Sequence, residues 1–255
     1  GIGRLHQRVC VRRWKRPHRG VVMLGVLGGM GPLATVDFLE KLVLQTEATR
    51  DQDHLPFLVA CLPQIPDRID ALLRGGPSPS DAMVGGIERL VAGGADLIAI
   101  PCNTAHAWYD ELAARSPVPI LHIVHAVLED LRDRGVERGP IGLLATEGTI
   151  KADIFQSVLK AQGLECRLPD DAEPVDAGIY AVKVGRLDAA RTGLATVVRT
   201  MLTHGCTAVI FGCTEVSVAL GDVAEFREVT VDSSAALARM ALKRCGARLK
   251  TMEAA

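Results

Sequence analysis

Two cysteines stand in the same unusual setting. In residues 98–110, IAIPCNTAHAWYD, an apolar run ends at Pro101 and gives way at once to Cys102, Asn103 and Thr104. In residues 208–217, AVIFGCTEVS, an apolar run and Gly212 lead into Cys213 and Thr214. A cysteine kept for packing belongs inside the apolar run, where it acts as a small hydrophobe. At a strand's C-terminal end and a helix's start, a thiol instead feels the positive end of the helix dipole, which favours thiolate. That effect, about 0.3–1 kcal/mol, is smaller than one pKa unit and leaves a thiol of ordinary pKa, about 8.5, mostly protonated at neutral pH. A cation from the protein or the substrate must help. Asn103, Thr104 and Thr214 offer donors suited to a carboxylate at the helix ends. Two such thiols facing each other across a bound carbon acid suggest one reaction. One, as thiolate, removes the α-proton, and the other, as thiol, returns a proton to the opposite face. Fixed donors would then stabilise the negative charge that develops on the substrate.

Positioning two such thiols requires strands that end side by side. From Val21 the chain alternates short β-branched runs (21–27, 57–61, 96–101, 118–121, 141–145, 207–211, 229–231) with amphipathic stretches (33–48, 80–92, 104–115, 123–134, 149–162, 188–204, 233–249). This alternation predicts an α/β protein of mostly parallel sheets flanked by helices, joined by right-handed crossovers. The chain also echoes itself. GVLGGMGPLA from Gly25 resembles GLLATEGTIKA from Gly142, and GGADLIAIPCNTA from Gly93 resembles GCTAVIFGCTEVS from Gly205, in the same order. Two pseudo-symmetric lobes follow, the first built from residues 21–121 and 230–255, the second from 122–229. The site would lie in the cleft between them, at the strand ends where open α/β sheets bind ligands.

Composition narrows the class. The 255 residues are 48% hydrophobic but only 4% aromatic, as in sheets covered by helices. No apolar run reaches the roughly 20 residues of a membrane span, so no membrane partner is expected. Of the 29 Lys and Arg, seven lie in residues 1–20, where there is no acid; the other 22 face all 30 Asp and Glu. Such an arm could bind nucleic acid or address an organelle. The plainer expectation is a solvated, disordered extension ahead of the fold, with no nucleic-acid role. Seven cysteines, no CxxC pair and no secretion signal point away from a disulfide scaffold and towards the cytoplasm. Cys61, Cys206 and Cys245 read as small core residues.

The segments GVLGGMGPLAT, RDQDHLP, PQIPDR, IPCNTAHAW, GLLATEGTI and FGCTEVS together resemble the aspartate racemase branch of the aspartate/glutamate racemase superfamily, with every motif in order. The resemblance implies a pyridoxal-phosphate-independent amino-acid racemase with no cofactor and no metal, acting as a homodimer. It implies that Cys102 and Cys213 are the paired catalytic cysteines and that Asn103, Thr104 and Thr214 hold the α-carboxylate and amino group. Met30, Gln64 and Thr146 would line the pocket, and Arg68 with Lys183 would grip the second carboxylate of a dicarboxylic amino acid. Glutamate racemases of this kind usually carry His after GCT; this chain has Glu215, which inclines the assignment to aspartate. Arg and Lys are suited to that carboxylate, one bidentately and one as a point charge. A carboxylate at Glu215 should raise the pKa of Cys213, leaving Cys213 as resting thiol and Cys102 as thiolate.

Other chemistries compete. Gly29, Gly31 and Ala34 form a GxGxxA with Asp51 about twenty residues on, a weak dinucleotide fingerprint. His122 and His125 stand at i, i+3 without a third ligand at metal spacing and read as surface or interface histidines. His106 could orient its helix, tune Cys102 or face solvent. Within the superfamily, a glutamate or broad-specificity racemase, a hydantoin racemase and a maleate isomerase remain alternatives, while two cysteines disfavour a single-cysteine decarboxylase. Outside enzymes, the alternative is a silent protein that binds small carboxylates.

Overall fold

The structure, a computed structural model, describes residues 22–250; the basic arm of residues 1–20 lies outside the described residues. The chain begins with β1 (Leu24–Gly28), α1 (Pro32–Leu44), β2 (Phe57–Cys61), α2 (Arg68–Leu73), α3 (Ser80–Ala92) and β3 (Leu97–Ala99). A 3-10 turn over Thr104–Trp108 leads into α4 (Tyr109–Arg115) and α5 (Ile123–Asp133). There follow β4 (Pro140–Leu144), α6 (Glu147–Lys151), α7 (Gln156–Ala161), β5 (Glu165–Arg167), α8 (Glu173–Lys183) and α9 (Leu187–Thr203). The chain closes with β6 (Ala208–Phe211), α10 (Thr214–Leu220), β7 (Thr230–Asp232) and α11 (Ser233–Cys245).

The strands make two all-parallel sheets, ordered β2-β1-β3 and β5-β4-β6-β7. Their registers show the internal echo. Gly25 of β1 pairs with Ile98 of β3, and Gly142 of β4 pairs with Val209 of β6. The two repeated segments of each half are therefore neighbouring strands of one sheet. Beyond β3, Ile120 makes a single parallel bridge to Ile98, in the place that β7 fills beside β6. Residues 118–121, expected as a strand, contribute only this bridge. Residues 230–232, grouped above with the first lobe, pair in the second sheet.

Every residue of β1, β3 and β6 is buried, which is why their apolar runs show no polar alternation. One core cluster takes side chains from β1, β3, β4 and β6 and from Phe38 and Leu42 of α1, Val124 and Val127 of α5, and Leu237 and Met240 of α11. These three helices thus lie between the two sheets, with α11 packed on both α1 and α5. The outer faces are covered separately, by α3 over the first sheet and by α8 and α9 over the second.

Three further differences from the sequence expectation have local causes. The helix expected over 149–162 breaks into α6 and α7 because Asp153 turns left-handed, at φ 53°. The helices α2 and α8 and the three-residue β5 were not foreseen; they are short or carry Pro174 and Gly178 within the pattern. Cys61 is exposed rather than part of the core, because β2 is an edge strand. Cys206 is buried and Cys245 partly so.

The loop between β1 and α1 is fixed by Gly29, whose N–H donates to Thr35 Oγ1 at 2.9 Å. Gly29 has φ +95°, and a Cβ there would stand 2.4 Å from Leu62 N. Gly94, at φ +102°, has nothing within 4 Å of that position. Gly94→Ala is therefore expected to cost about 1 kcal/mol for the left-handed backbone alone. Gly29→Ala should cost about 3 kcal/mol or more, because overpacking adds to the same penalty. Urea unfolding of the two variants checks the difference.

Candidate active site

The first thiol is placed by a tight turn at the end of the first sheet. Cys102 N–H donates to Ile100 O at 2.8 Å, and His106 N–H donates to Asn103 O at 3.0 Å, so the chain curls into the 3-10 turn as soon as it leaves β3. His106 fixes that turn from within. Its Nε2 accepts from Ile123 N–H at 3.2 Å, so its proton sits on Nδ1, which donates to Cys102 O at 2.9 Å. Of the options open for His106, facing solvent is excluded, since the ring is buried. Burial, despite these bonds, lowers its pKa to about 4.

The neighbours of Cys102 tie the two halves together. Asn103 Nδ2 donates to Ser233 Oγ at 2.9 Å, at the first residue of α11, which leaves the buried Asn103 Oδ1 without a partner. Thr104 Oγ1 lies 3.1 Å from Thr146 Oγ1 and 2.9 Å from Thr149 Oγ1, and those two are 3.0 Å apart. This ring of three hydroxyls joins the loop after β3 to the N-terminus of α6. Thr146 also caps α6 by accepting from Thr149 N–H at 3.2 Å.

The second thiol sits at the start of α10, where Cys213 is the N-cap residue. Its Sγ donates to Glu215 Oε2 at 3.0 Å. Thr214 Oγ1 donates to the same oxygen at 3.5 Å, and all three residues are buried. Burial pushes the Cys213 thiol well above its ordinary range, and the adjacent Glu215 charge and hydrogen bond push it further. Cys102 is raised too, chiefly by burial; there the charges of Arg68 and Lys183 pull downward while Glu215 adds a smaller upward push. Both residues are buried, and the burial that raises both thiols works against the resting thiolate expected at Cys102. The asymmetry survives in direction, since the cations favour ionisation of Cys102 and the carboxylate opposes that of Cys213.

Both thiols line one narrow, partly enclosed cleft. Around them stand Met30, Asn103, Thr104, Thr146, Thr214 and Glu215. The same lining carries Arg68 and Lys183. Arg68 Nη1 donates to Ile65 O and Pro66 O, at 3.3 and 3.1 Å, and its buried Nε has no partner. Of the residues assigned from sequence, Gln64 alone falls outside the lining and is exposed on the β2–α2 connection.

Sequence reasoning missed Asp67 and Ile69, which also line the cleft. Asp67 Oδ1 caps α2, accepting from Ile69 N–H and Asp70 N–H at 2.8 and 2.9 Å. Partial burial raises its pKa, but the Asp70 N–H, the Arg68 charge, the Ile69 N–H and the Lys183 charge outweigh that and hold it below the usual carboxylate range. The signal was available in PDRID, where an Asp precedes two free N–H groups at cap spacing. Ser233 and Thr149 were invisible because their partners lie 130 and 45 residues away.

The rival sites fare differently. A Cβ on Gly31 would come within 3.5 Å of Glu215 Oε1, so a carboxylate stands where a dinucleotide fingerprint would need room for phosphate. His122 Nδ1 caps α5 by accepting from Val124 N–H at 3.2 Å, and its ring packs on Tyr109 and His125 at centroid distances of 4.4 and 4.5 Å. Among the described residues no three His, Cys, Asp or Glu side chains group to hold a metal ion, and no helix is long and apolar enough to cross a membrane.

The sequence model of the Asp/Glu/Hydantoin racemase family matches residues 27–241. The chain belongs to this family. The structure is similar to that of the aspartate racemase of Picrophilus torridus, with a TM-score of 0.82 and 33% identity, covering 90% of this chain and 96% of that one. In sequence it is 29% identical to the broad specificity amino-acid racemase RacX of Bacillus subtilis (strain 168), over 85% of this chain and 95% of RacX. It is 27% identical to a glutamate racemase of Deinococcus radiodurans, over 87% of this chain and 74% of that protein. The chain is accordingly an isomerase of the racemase type.

Two predictions test the electrostatics. In Glu215→Gln the charge beside Cys213 is gone, so the pH profile for alkylation of Cys213 by iodoacetamide, followed by peptide mass spectrometry, should move to lower pH and that of Cys102 should move less. An unmoved Cys213 profile would remove Glu215 as the cause. For His106, the unfolded ring takes a proton below about pH 6.5, while the native ring refuses it down to about 4. Its contribution is therefore complete above about 6.5 and is lost as pH falls between those values, by at most about 3 kcal/mol. Urea unfolding at pH 7 and pH 4.5 should show a shallower fall for His106→Asn than for the unmodified chain.

Proposed function

We propose that the chain racemises an acidic amino acid, aspartate before glutamate, without a cofactor, by moving the α-proton between Cys102 and Cys213. The observation that carries this reading is the cleft itself, whose lining brings two buried thiols together with Arg68 and Lys183. An aspartate side-chain carboxylate would lie against Arg68 and Lys183, where the unpartnered Arg68 Nε offers a donor. The α-ammonium would donate to Asn103 Oδ1, the one buried oxygen beside Cys102 that lacks a partner. The α-carboxylate would sit among the hydroxyls of Thr104, Thr146 and Thr214. Met30 would close the cleft over the apolar part of the substrate. Gln64 would reach the substrate only by turning inward from the surface.

The raised thiol pKa values serve this chemistry. An α-proton next to a carboxylate is a very weak acid, and a thiolate held in a dry site is a stronger base than one in water. The substrate brings an ammonium group into the cleft, which adds to Arg68 and Lys183 in favouring thiolate at Cys102. Cys213, kept protonated by Glu215, then delivers its proton to the opposite face. In the reverse direction the roles exchange, and Glu215 is the acceptor already hydrogen-bonded to the Cys213 proton.

A broader substrate range is the second reading, favoured by the likeness to RacX. The two differ in what Arg68 does. Proton NMR of L-Asp, L-Glu and a neutral amino acid in D2O, each with the enzyme, should show α-proton loss and D-isomer with L-Asp, abolished in Cys102→Ala and in Cys213→Ala. Arg68→Ala should lower kcat/KM for aspartate by about a hundredfold, the loss of a charge-assisted carboxylate contact. Exchange that proceeds equally well with neutral amino acids, or that survives Arg68→Ala, would favour the broad enzyme. Exchange that persists without either cysteine would sink the two-thiol mechanism.

A further inference from the structure

Away from the cleft lining, three charged side chains meet between α1, α10 and α11. Lys41 Nζ of α1 lies 2.6 Å from Asp37 Oδ2 and 2.8 Å from Asp232 Oδ2. All three are largely withdrawn from solvent, with side chains 12–16% exposed. The group carries two carboxylates for one ammonium. A buried ionic group of this kind is weak evidence for stability, since apolar side chains of the same size would often hold the fold as well. Its other bonds indicate a different use.

Asp232 Oδ1 accepts from Ser217 Oγ at 2.7 Å and from Ala235 N–H at 3.0 Å. Ser217 N–H donates to Cys213 O at 3.3 Å, and Ser217 O accepts from Gly221 N–H at 2.8 Å. The short helix that starts at the second thiol is thus anchored through its middle residue. A Cβ on Gly221 would lie 2.8 Å from Asp232 Oδ2 and 3.4 Å from Lys41 Nζ, so the end of α10 closes on the same group.

On the other side, Asp232 is the N-cap of α11. The two residues that follow it are fully buried and point two ways. Ser234 Oγ donates to Asp37 Oδ2 at 3.2 Å, back to the ionic group, while Ser233 Oγ accepts from Asn103 Nδ2, next to the first thiol. One charged node therefore reaches both cysteines, each through a serine. We propose that the Lys41–Asp37–Asp232 node sets the position of the two thiols relative to each other, with Lys41 as a positioning residue for proton transfer. Burial alone would lower the pKa of Lys41, yet the charges of Asp232 and Asp37 raise it; Lys41 in turn holds Asp232 below the usual carboxylate range, while burial raises Asp37.

This inference rests on the two-thiol reading above, and its test separates the two. In the full chain, Lys41→Met and Ser217→Ala are compared with the unmodified protein for kcat, KM, thermal unfolding and the alkylation rates of Cys102 and Cys213. Misplacement of reacting groups predicts that Lys41→Met lowers kcat about ten- to a hundredfold with KM changed by less than about twofold, because Arg68 and Lys183 are untouched. Its alkylation rates should change at both cysteines. Ser217→Ala should change the rate at Cys213 several-fold and leave Cys102 nearly as it was. The proposal is overturned by folded Lys41→Met with unaltered kcat and thiol rates, or by a loss that only follows the folded fraction. Should Lys41→Met fail to fold, Ser217→Ala decides by the same criteria. Were the unmodified chain to racemise none of the amino acids, the functional reading would fall, and the alkylation rates would still decide the node.

Discussion

Burial of two cysteines in one cleft sets the terms for everything around them. Burial raises the pKa of both thiols, so in the two-thiol reading each would be ionised by charges that arrive or are already in place. In the two-thiol reading, cations would draw a proton from Cys102 and a carboxylate would keep one on Cys213. These opposed demands explain why two cations and two carboxylates share a lining of twelve residues. A helix terminus alone supplies less than a pKa unit, far short of what burial takes away.

The fold meets these demands with two copies of one arrangement. In each sheet the strand that bears the cysteine lies beside the strand that opens the half, β3 beside β1 and β6 beside β4. Parallel strands send both cysteines out at carboxyl ends, and α1, α5 and α11 fill the space between the sheets as a shared core. Neither half is an independent unit in this packing. The threonine ring and the Asn103–Ser233 bond cross between elements of different halves, so small relative movements of the sheets would be felt at the thiols first.

Much of this was legible in the sequence, for physical reasons that also mark where legibility stops. The strands β1, β3 and β6 are buried on both faces and announce themselves as unbroken apolar runs. Cys102 and Cys213 stood out because each follows such a run at the strand's carboxyl end, although both remain packed in the core. By contrast β5 is three residues long and half exposed, and residues 118–121 are apolar like a strand but make one bridge where β7 makes a ladder. The break at Asp153 is a single backbone angle. Pairs such as Asn103–Ser233 depend on tertiary placement, which no local pattern encodes. Gln64 shows the converse: a residue matched by motif that the backbone carries to the surface.

The difference between Glu215 and Asp67 shows how one charge can take two roles. Both are carboxylates in the cleft lining, both lie near a helix start, and helix dipoles favour both. Asp67 spends its oxygen on two backbone N–H groups and sits beside Arg68 and Lys183, so it moderates the cationic wall that a substrate carboxylate meets. Glu215 accepts no backbone cap; its Oε2 takes the Cys213 thiol and the Thr214 hydroxyl. A carboxylate whose strongest partner is a buried thiol changes that thiol's proton affinity more than it changes the helix. The second residue after this strand-end cysteine therefore acts on both thiols, by charge and hydrogen bond at Cys213 and by charge alone at Cys102, which in the two-thiol reading would tie the balance between the two directions of proton transfer to one side chain.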